Sequence, residues 1–150
     1  MHRLRAGGFT LVEIMIGVAV GAAGIAAAIA VPAFKEHTVR SQVNDLVIAA
    51  AKCRNAVAEF YTINGSFPSS AREAGCPENV APNDNPLAVY DGEILVQAVG
   101  PLARELGRRN IFAFRAVCAG GPCAGTPIQT WTCAAPSSTT IPTKYLPSTC

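Results

Sequence analysis

The stretch that decides the fold is RAGGFTLVEIMIGVAVGAAGIAAAIAVPAF, residues 5–34. From Phe9 to Phe34 it holds a single charged side chain, Glu13. At about 1.5 Å of rise per residue, residues 9–34 would form a helix of roughly 39 Å, which exceeds the bilayer core of about 30 Å. A carboxylate at that depth is costly and needs a partner. The pattern predicts a membrane-inserted helix with one anion to be explained.

Charge and cysteine content point to export of the remaining chain. The net charge of +2 comes from Arg3 and Arg5, because ten basic and ten acidic groups balance after residue 8. Residues 9–150 therefore have no strong general attraction to nucleic acid or anionic lipid. All six cysteines lie from Cys53 onward, which is typical of an oxidising compartment.

The apolar stretch has two simple interpretations. One is a secretory signal peptide with basic Arg3 and Arg5 and an A-x-A-like cleavage site at residues 28–30. The other is a plain membrane anchor. Neither explains Glu13 near the start of the stretch, where a neutral residue would insert more easily, and neither requires the glycine–aromatic junction at Gly8 and Phe9.

A third interpretation is a family resemblance. Residues 5–16, RAGGFTLVEIMI, resemble the class III leader junction of type IV prepilins. The resemblance implies that residues 1–8 are a leader, that a membrane peptidase cuts after Gly8, and that it then methylates the new amine of Phe9. In that family the glutamate neutralises the N-terminal amine of the adjacent subunit. On this view Glu13 of one copy pairs with Phe9 of the next and sets the axial register of assembly.

The same resemblance implies a weak point in the helix. Gly21 and Gly24 lower helix propensity, and Pro32 cannot donate a hydrogen bond to the carbonyl of Ala28. Filaments of the family have a locally melted stretch between a glycine and a proline, so residues 21–31 are expected to unwind in the polymer. Pro32 lies about two residues later than the family's usual proline, so the position of the kink in this chain does not follow from the family.

After Pro32 the helix pattern becomes one-sided. Apolar side chains recur at spacings of three and four, which indicates an amphipathic helix that Asn64 and Gly65 end. The recurring positions are Val39, Val43, Leu46, Val47, Ala50, Cys53, Val57 and Phe60. The expected organisation is a leader (1–8), a hydrophobic helix for membrane insertion and the filament core (9–34), and a globular domain (35–150).

The C-terminal half has the pattern of an antiparallel sheet. Residues 87–90 and 93–99 flank Asp91-Gly92 and predict a hairpin, while residues 111–117 and 128–133 are apolar runs of strand length. Residues 66–86 indicate an ordered loop, and residues 101–109 a loop or one helical turn. The predicted fold is α+β, a long helix packed on about four antiparallel strands.

Six cysteines allow fifteen disulfide connectivities. Residues 131–133 and 141–150 resemble the disulfide-bounded C-terminal region of type IVa major pilins, which implies a Cys133–Cys150 staple of an otherwise irregular loop. Cys53 and Cys76 resemble a helix-to-loop bridge of one pilin subgroup, and proximity then pairs Cys118 with Cys123. A zinc cluster is the competing interpretation, but Cys118, Cys123 and Cys133 lack paired-ligand spacing, so no metal is expected.

The sequence carries no nucleophile motif, phosphate loop or catalytic constellation, so neither an enzyme nor a cofactor is predicted. Arg104, Arg108 and Arg109 form the one compact basic group. A solvated turn is the favoured interpretation of that group, with a weak contact to DNA as the alternative that salt dependence would test.

The resemblance implies a structural subunit that polymerises into a type IV pilus for adhesion, twitching motility and DNA uptake. Its implied partners are copies of itself, the prepilin peptidase and a pilus assembly platform. The implied location is the inner membrane as a precursor and then the cell surface. The alternatives are a minor pilin, a type II secretion pseudopilin, or a membrane-anchored periplasmic binding module.

Overall fold

The computed structural model describes residues 10–121, 123, 125–135 and 137–150, with the backbone alone over 22–33. The chain divides into two units, Met1–His37 and Thr38–Cys150. Helix α1 runs over Leu11–Asn64. It ends where the Asn64–Gly65 pair predicts, because Gly65 adopts φ +69° and its N–H closes the last turn on the carbonyl of Tyr61 at 2.9 Å.

In the second unit, one stripe of α1 supplies the helix side of the core. Its buried members follow one another at spacings of three and four, as the amphipathic pattern predicts. They are Val39, Val43, Leu46, Ala50, Cys53, Val57 and Tyr61. Of the other two expected members, Val47 is partly buried and packs against this core, and Phe60 is partly buried. Tyr61 continues the stripe because it lies four residues after Val57.

Five antiparallel strands form one sheet in sequence order. They are β1 (Asn79–Val80), β2 (Asn85–Tyr90), β3 (Glu93–Gln97), β4 (Ile111–Cys118) and β5 (Ile128–Thr132). Leu87 pairs with Val96, and Arg115 pairs with both Glu93 and Thr132. The predicted α+β fold is confirmed; the fifth strand is β1, which is only two residues long and gives no periodic signal.

The β2–β3 hairpin forms as its sequence predicts. Asp91 (φ 47°) and Gly92 (φ 72°) both adopt positive φ, which a two-residue turn that matches strand twist requires. Leu87 and Val89 of β2 are buried, whereas Ala88 and Tyr90 are exposed. The alternation places one face of the hairpin on the core.

Residues 101–109, expected as a loop or one helical turn, overlap helix α2 (Gly100–Leu106), which has seven residues. Leu102 and Leu106 are its buried side chains. Buried Asn85 of β2 anchors its start, because its side-chain oxygen accepts from the Val99 N–H at 3.0 Å while its amide donates to the carbonyl of Val80 at 3.4 Å. A satisfied buried amide fixes α2 against the sheet edge.

Candidate assembly site

Glu13 takes part in a capping box with Thr10. The Glu13 N–H donates to Thr10 Oγ1 (3.3 Å), and Glu13 Oε2 accepts from the Thr10 N–H (3.3 Å) and hydroxyl (3.1 Å). These reciprocal bonds satisfy backbone donors that the first turn of α1 otherwise leaves unpaired. Both bonds to the carboxylate converge on Oε2. The box restrains the direction in which Oε1 points.

Apolar, solvent-exposed side chains surround this carboxylate. Every described residue from Thr10 to Gly21 is exposed, including Leu11 (77%) and Met15 (66%), and Glu13 is the one charge among them. Such a continuous apolar surface is costly in water and indicates a binding face. Gly8 and Phe9 lie outside the described residues, so leader cleavage, methylation and the pairing of Glu13 with Phe9 stay predictions.

The predicted weak point of α1 has a helical backbone in this structure. The helix continues through Gly21, Gly24 and Pro32 without ending at the proline. A Cβ atom built on Gly21 would meet nothing within 4 Å, so local crowding does not require glycine there. Unwinding of residues 21–31 concerns the polymer and stays a prediction.

No helix formed by the described residues combines the length and the hydropathy needed to cross a lipid bilayer. Phe9 and the side chains of residues 22–33, which belong to the predicted span over 9–34, lie outside those residues.

The C-terminal loop, residues 134–149, is closed by the Cys133–Cys150 disulfide and attached to β4. Thr139 Oγ1 accepts from the Ala113 N–H (3.0 Å) and donates to the Ala113 carbonyl (2.9 Å). The Ile111 carbonyl accepts from the N–H of Thr140 at 2.8 Å. Strand β5 pairs only with residues 115–118 of β4. On that side of β4, the loop therefore provides hydrogen-bond partners for the backbone groups of the first half of the strand, where β5 does not reach.

Glu93 fixes the same loop from β3. Its carboxylate accepts from the backbone N–H of Ser138 and from the Ser138 hydroxyl at 2.8 Å, and Arg115 Nη1 lies 3.6 Å from Oε2. Glu93 is only 7% exposed, and a buried carboxylate needs such donors and a cation nearby. Nothing in the sequence indicated this contact.

The other two disulfides join Cys53 of α1 to Cys76 and Cys118 to Cys123. The three pairs in the structure are therefore the three that the sequence analysis gave. Among the described residues, no cluster of His, Cys, Asp and Glu side chains could hold a metal ion.

The basic group spans the last turn of α2, which contains Arg104, and the turn before β4, which contains Arg108 and Arg109. Arg104, Arg108 and Arg109 are all exposed. None of the three takes part in an ion pair in the described part of the chain, where the salt bridges involve Arg72 and Arg115. Exposure fits both a solvated turn and a weak contact with a polyanion, so the alternative stays open.

Two family models match separate parts of the chain. The prokaryotic N-terminal methylation motif matches residues 3–29, and Pilin (bacterial filament) matches residues 39–150. The chain belongs to the pilin family. The resemblance drawn from residues 5–16 is thereby confirmed, and the pilin family is one of structural proteins.

Relatives of this pilin agree with that membership. Type IV major pilin protein PilE1 of Neisseria gonorrhoeae is 32% identical over 160 aligned residues, covering 95% of the chain and 86% of the relative. Fimbrial protein EcpC of Eikenella corrodens is 30% identical over 149 residues, covering 95% and 89%. The fimbrial protein of Neisseria meningitidis serogroup A is 43% identical over 68 residues, covering 45% and 39%. Together they support a pilus subunit with a membrane-anchored precursor.

Sequence reasoning missed the structural partners of this pilin's site residues. The Thr10-x-x-Glu13 spacing is a recognisable capping-box signal that was available. The contact of Glu93 with Ser138 gave no signal, because the two residues are 45 positions apart in the sequence.

Proposed function

We propose that the mature chain begins at Phe9 and polymerises through its N-terminal helix into a type IV pilus, as the major subunit. One observation carries the proposal: Glu13 is a lone carboxylate on the exposed apolar surface of residues 10–21, and its Oε2 accepts hydrogen bonds from Thr10. The names of the relatives, major pilins and fimbrial proteins, favour a major over a minor subunit.

Assembly on this proposal is driven by charge matching inside an apolar helix bundle. Removal of residues 1–8 leaves a cationic amine on Phe9. An isolated charge is expensive in apolar surroundings, whereas an opposite charge at hydrogen-bond distance recovers much of that cost. The capping box uses Glu13 Oε2, so Oε1 receives the amine of the neighbouring copy. Subunits that are misaligned along the axis leave both charges unpaired.

Two substitutions at Glu13 separate this role from helix capping. Glutamine serves as well as glutamate at the third position of a capping box but carries no charge, whereas alanine removes both properties. We expect Glu13→Gln and Glu13→Ala to lower filament yield to a similar extent, with cleavage after Gly8 largely intact. The measurement is quantification of sheared surface filaments against total mature subunit.

Normal filament yield from Glu13→Gln, with loss only in Glu13→Ala, would assign Glu13 to helix capping and reject charge pairing. Thr10→Ser is the matched control, because serine keeps both a donor and an acceptor for the box. It is expected to form filaments like the unmodified chain.

Processing has its own test. Intact-mass and N-terminal analysis of sheared filaments should give a dominant chain that starts at Phe9 and carries one added methyl group. A chain that retains Met1, or that starts at Val31, contradicts the proposal.

The proposal also includes the location of the chain. The precursor lies in the inner membrane, where the prepilin peptidase and the assembly platform act on it, and the product lies in an extracellular filament.

The filament is proposed to serve surface attachment and twitching motility, with residues 21–31 unwinding to allow extension under load.

A weak DNA contact through Arg104, Arg108 and Arg109 belongs to the same proposal. Phosphate contacts release counterions, so DNA binding to purified filaments should fall steeply with salt. Binding that is insensitive to salt contradicts a role for these arginines.

A further inference from the structure

Charge is unevenly distributed over the second unit. Residues 38–150 carry nine basic and eight acidic side chains, so the unit is close to neutral as a whole. Five of the nine basic side chains lie at one end of the unit, and all five are exposed. They are Arg40, Arg104, Arg108, Arg109 and Lys144, and they are called the basic end below.

Contacts between three segments bring these five residues to the same end. The β3–β4 connection, residues 98–110, carries three of the arginines and leads into Ile111, the first residue of β4. The Ile111 carbonyl accepts from the N–H of Thr140 at 2.8 Å, which brings the C-terminal loop to the start of β4. Arg40 Nη2 donates to the Lys144 carbonyl of that loop. The part of α1 that begins the second unit therefore shares this end with the other four basic residues.

The acidic side chains of the unit are concentrated elsewhere. Asp84 and Glu105 lie near the basic end and leave it a net charge of +3, whereas the rest of the unit carries six acidic and four basic side chains. Exposed Asp91, in the β2–β3 turn, lies at the opposite end of the sheet. In the described part of the chain, none of the four arginines of the basic end takes part in a salt bridge. The overall charge balance thus conceals a polarity of the unit.

The basic end follows the apolar stretch closely along the chain. Arg40 is six residues after Phe34, the last residue of that stretch. Six residues of helix rise about 9 Å, and the headgroup layer of one leaflet is about 5–8 Å thick. Lys35 and Glu36, between them, add one charge of each sign. When the apolar stretch anchors the chain in a membrane, headgroup phosphates are therefore within reach of the basic end.

We propose that the basic end binds the headgroups of anionic phospholipids while the chain is anchored in the membrane. Guanidinium groups donate paired hydrogen bonds to phosphate oxygens, and basic side chains next to a membrane anchor are attracted to an anionic leaflet. The Lys144 ammonium lies 4.6 Å from the centroid of the Tyr145 ring, and tyrosine is enriched at membrane–water interfaces. The contact determines which end of the second unit faces the lipid.

The membrane is favoured over nucleic acid as the source of phosphate. Arg40 belongs to the basic end, and α1, which carries it, continues into the apolar stretch. A tethered lipid surface has a high effective concentration, whereas DNA must arrive from solution. The inference rests on the membrane-anchored precursor and not on polymerisation, so either proposal can fail while the other stands.

Lysine acetylation of the full-length chain in lipid vesicles tests the contact. The vesicles contain phosphatidylcholine alone or phosphatidylcholine mixed with phosphatidylglycerol, and a membrane-impermeant reagent labels only the outward-facing chains. Acetylation consumes the neutral amine, and an anionic surface raises the local proton concentration about threefold. Lys144 should therefore react about threefold more slowly with phosphatidylglycerol present, as measured by mass spectrometry. The difference should vanish in about 1 M salt, where the Debye length is about 3 Å.

Lys52 is the internal control for this measurement. It is exposed on the same helix as Arg40 but twelve residues further along, which is about 18 Å, or about twice the Debye length in physiological salt. Its acetylation rate should differ by less than about 1.3-fold between the two lipids. Equal slowing of Lys52 and Lys144, or the same rate for Lys144 in both lipids, overturns the proposal.

Charge reversal tests the contribution of the arginines. Arg108→Glu lowers the net charge of the basic end from +3 to +1, and the slowing at Lys144 should fall below about 1.5-fold. Arg72→Glu makes the same change at an exposed side chain outside the basic end and should keep the slowing of about threefold. An unchanged emission maximum of Trp131 reports that each variant keeps its fold. Equal slowing in the two variants overturns the proposal.

The remaining outcomes identify other partners. Slowing of Lys144 that persists in about 1 M salt would mean burial among lipid tails and not attraction between charges. Slowing by duplex DNA added to phosphatidylcholine vesicles, with none from phosphatidylglycerol, would assign the basic end to nucleic acid. Either result overturns the proposal. None of these measurements needs a filament, so the pilus function is judged separately, by sheared filaments whose chains start at Phe9.

Discussion

Glu93 on β3 and Ser138 in the C-terminal loop form a two-point contact, in which one carboxylate accepts from both the backbone N–H and the hydroxyl of the serine. Glu93 is buried, and Ser138 belongs to the loop that Cys133 and Cys150 close. The contact ties an irregular segment to the centre of the sheet. It also gives the carboxylate the donors that its burial demands.

Neutralising Glu93 should destabilise the second unit. Glu93→Gln replaces charge-assisted hydrogen bonds by weaker ones and leaves Arg115 without its buried partner, so the free energy of unfolding should fall by about 2 kcal/mol. Asp91→Asn is the control, since exposed Asp91 lies 3.8 Å from the same arginine and asparagine tolerates positive φ. The effect of Asp91→Asn should stay below about 0.5 kcal/mol.

Urea unfolding of the full-length subunit in detergent, followed by Trp131 fluorescence, measures the free energy of unfolding of both variants. Equal losses in Glu93→Gln and Asp91→Asn would contradict the argument that burial makes the Glu93 contact the stronger one.

Gly92 should be intolerant of a side chain for two reasons that a control can separate. A Cβ atom there would lie 2.6 Å from Phe67, and φ is +72°. Gly65 has nearly the same φ (+69°) but nothing within 4 Å. Gly65→Ala should therefore cost about 1 kcal/mol from backbone strain alone. Gly92→Ala should cost about 1–3 kcal/mol more from overpacking.

The Phe67 contact can be removed in the same experiment. In a Phe67→Leu background, Gly92→Ala should lose most of its excess cost over Gly65→Ala, because the clashing ring is gone. The readout is the same urea unfolding. An excess that persists without the ring would mean that Phe67 is not its cause.

The disulfides should contribute differently to the free energy of unfolding, according to the length of the loop that each one closes. The sequence separations are 17 for Cys133–Cys150 and 5 for Cys118–Cys123. On the chain-entropy estimate, replacing both cysteines by serine costs about 3 kcal/mol for the longer loop and about 2 kcal/mol for the shorter one. Urea unfolding of the two double variants tests the order. The reverse order would show that loop entropy does not govern their contribution.

Glu73 should titrate below its usual range. Its pKa is lowered because the Ser69 backbone N–H donates to its carboxylate at 2.6 Å and the Ser69 hydroxyl at 2.8 Å. A lowered pKa in the folded chain contributes stability above the ordinary value of 4.5, and that contribution is lost as pH falls through the folded pKa. Ser69→Ala should raise the pKa of Glu73 partway, since the backbone bond remains.

Ser70→Ala is the matched control for that titration. The Ser70 hydroxyl accepts from the Glu73 N–H at 3.2 Å and does not touch the carboxylate. Carbon-detected NMR titration of Glu73 should give the same pKa in Ser70→Ala as in the unmodified chain. An unchanged pKa in Ser69→Ala would assign the shift to the backbone bond alone.

Sequence patterns predicted the elements whose causes are local. The end of α1 follows from Gly65, and the β2–β3 hairpin follows from Asp91-Gly92, because these three residues adopt positive φ, which few residues tolerate. Helix α2 was predicted only as one of two alternatives, a loop or one helical turn, although its signals were present. Pro101 lies in its first turn, and Gly107 (φ 62°) ends it.

The rest depends on contacts that local patterns do not encode. Strand β1 has two residues and forms only because β2 pairs with it. The contact of Glu93 with Ser138 and that of Thr139 with Ala113 each join distant parts of the chain through side chains common on any surface. Two cysteine pairs, Cys133–Cys150 and Cys53–Cys76, came from family resemblance and the third from proximity, since six cysteines by themselves allow fifteen connectivities.

The hydrogen bonds from Thr139 and Thr140 to the first half of β4 protect this protein against aggregation through its sheet. Unpaired strand edges recruit other strands and lead toward amyloid-like aggregation. Here hydroxyls and irregular backbone occupy the amides and carbonyls of Ile111 and Ala113, so an incoming strand finds no ladder to extend at that point. Copies at high local concentration are thereby kept from joining their sheets at that point.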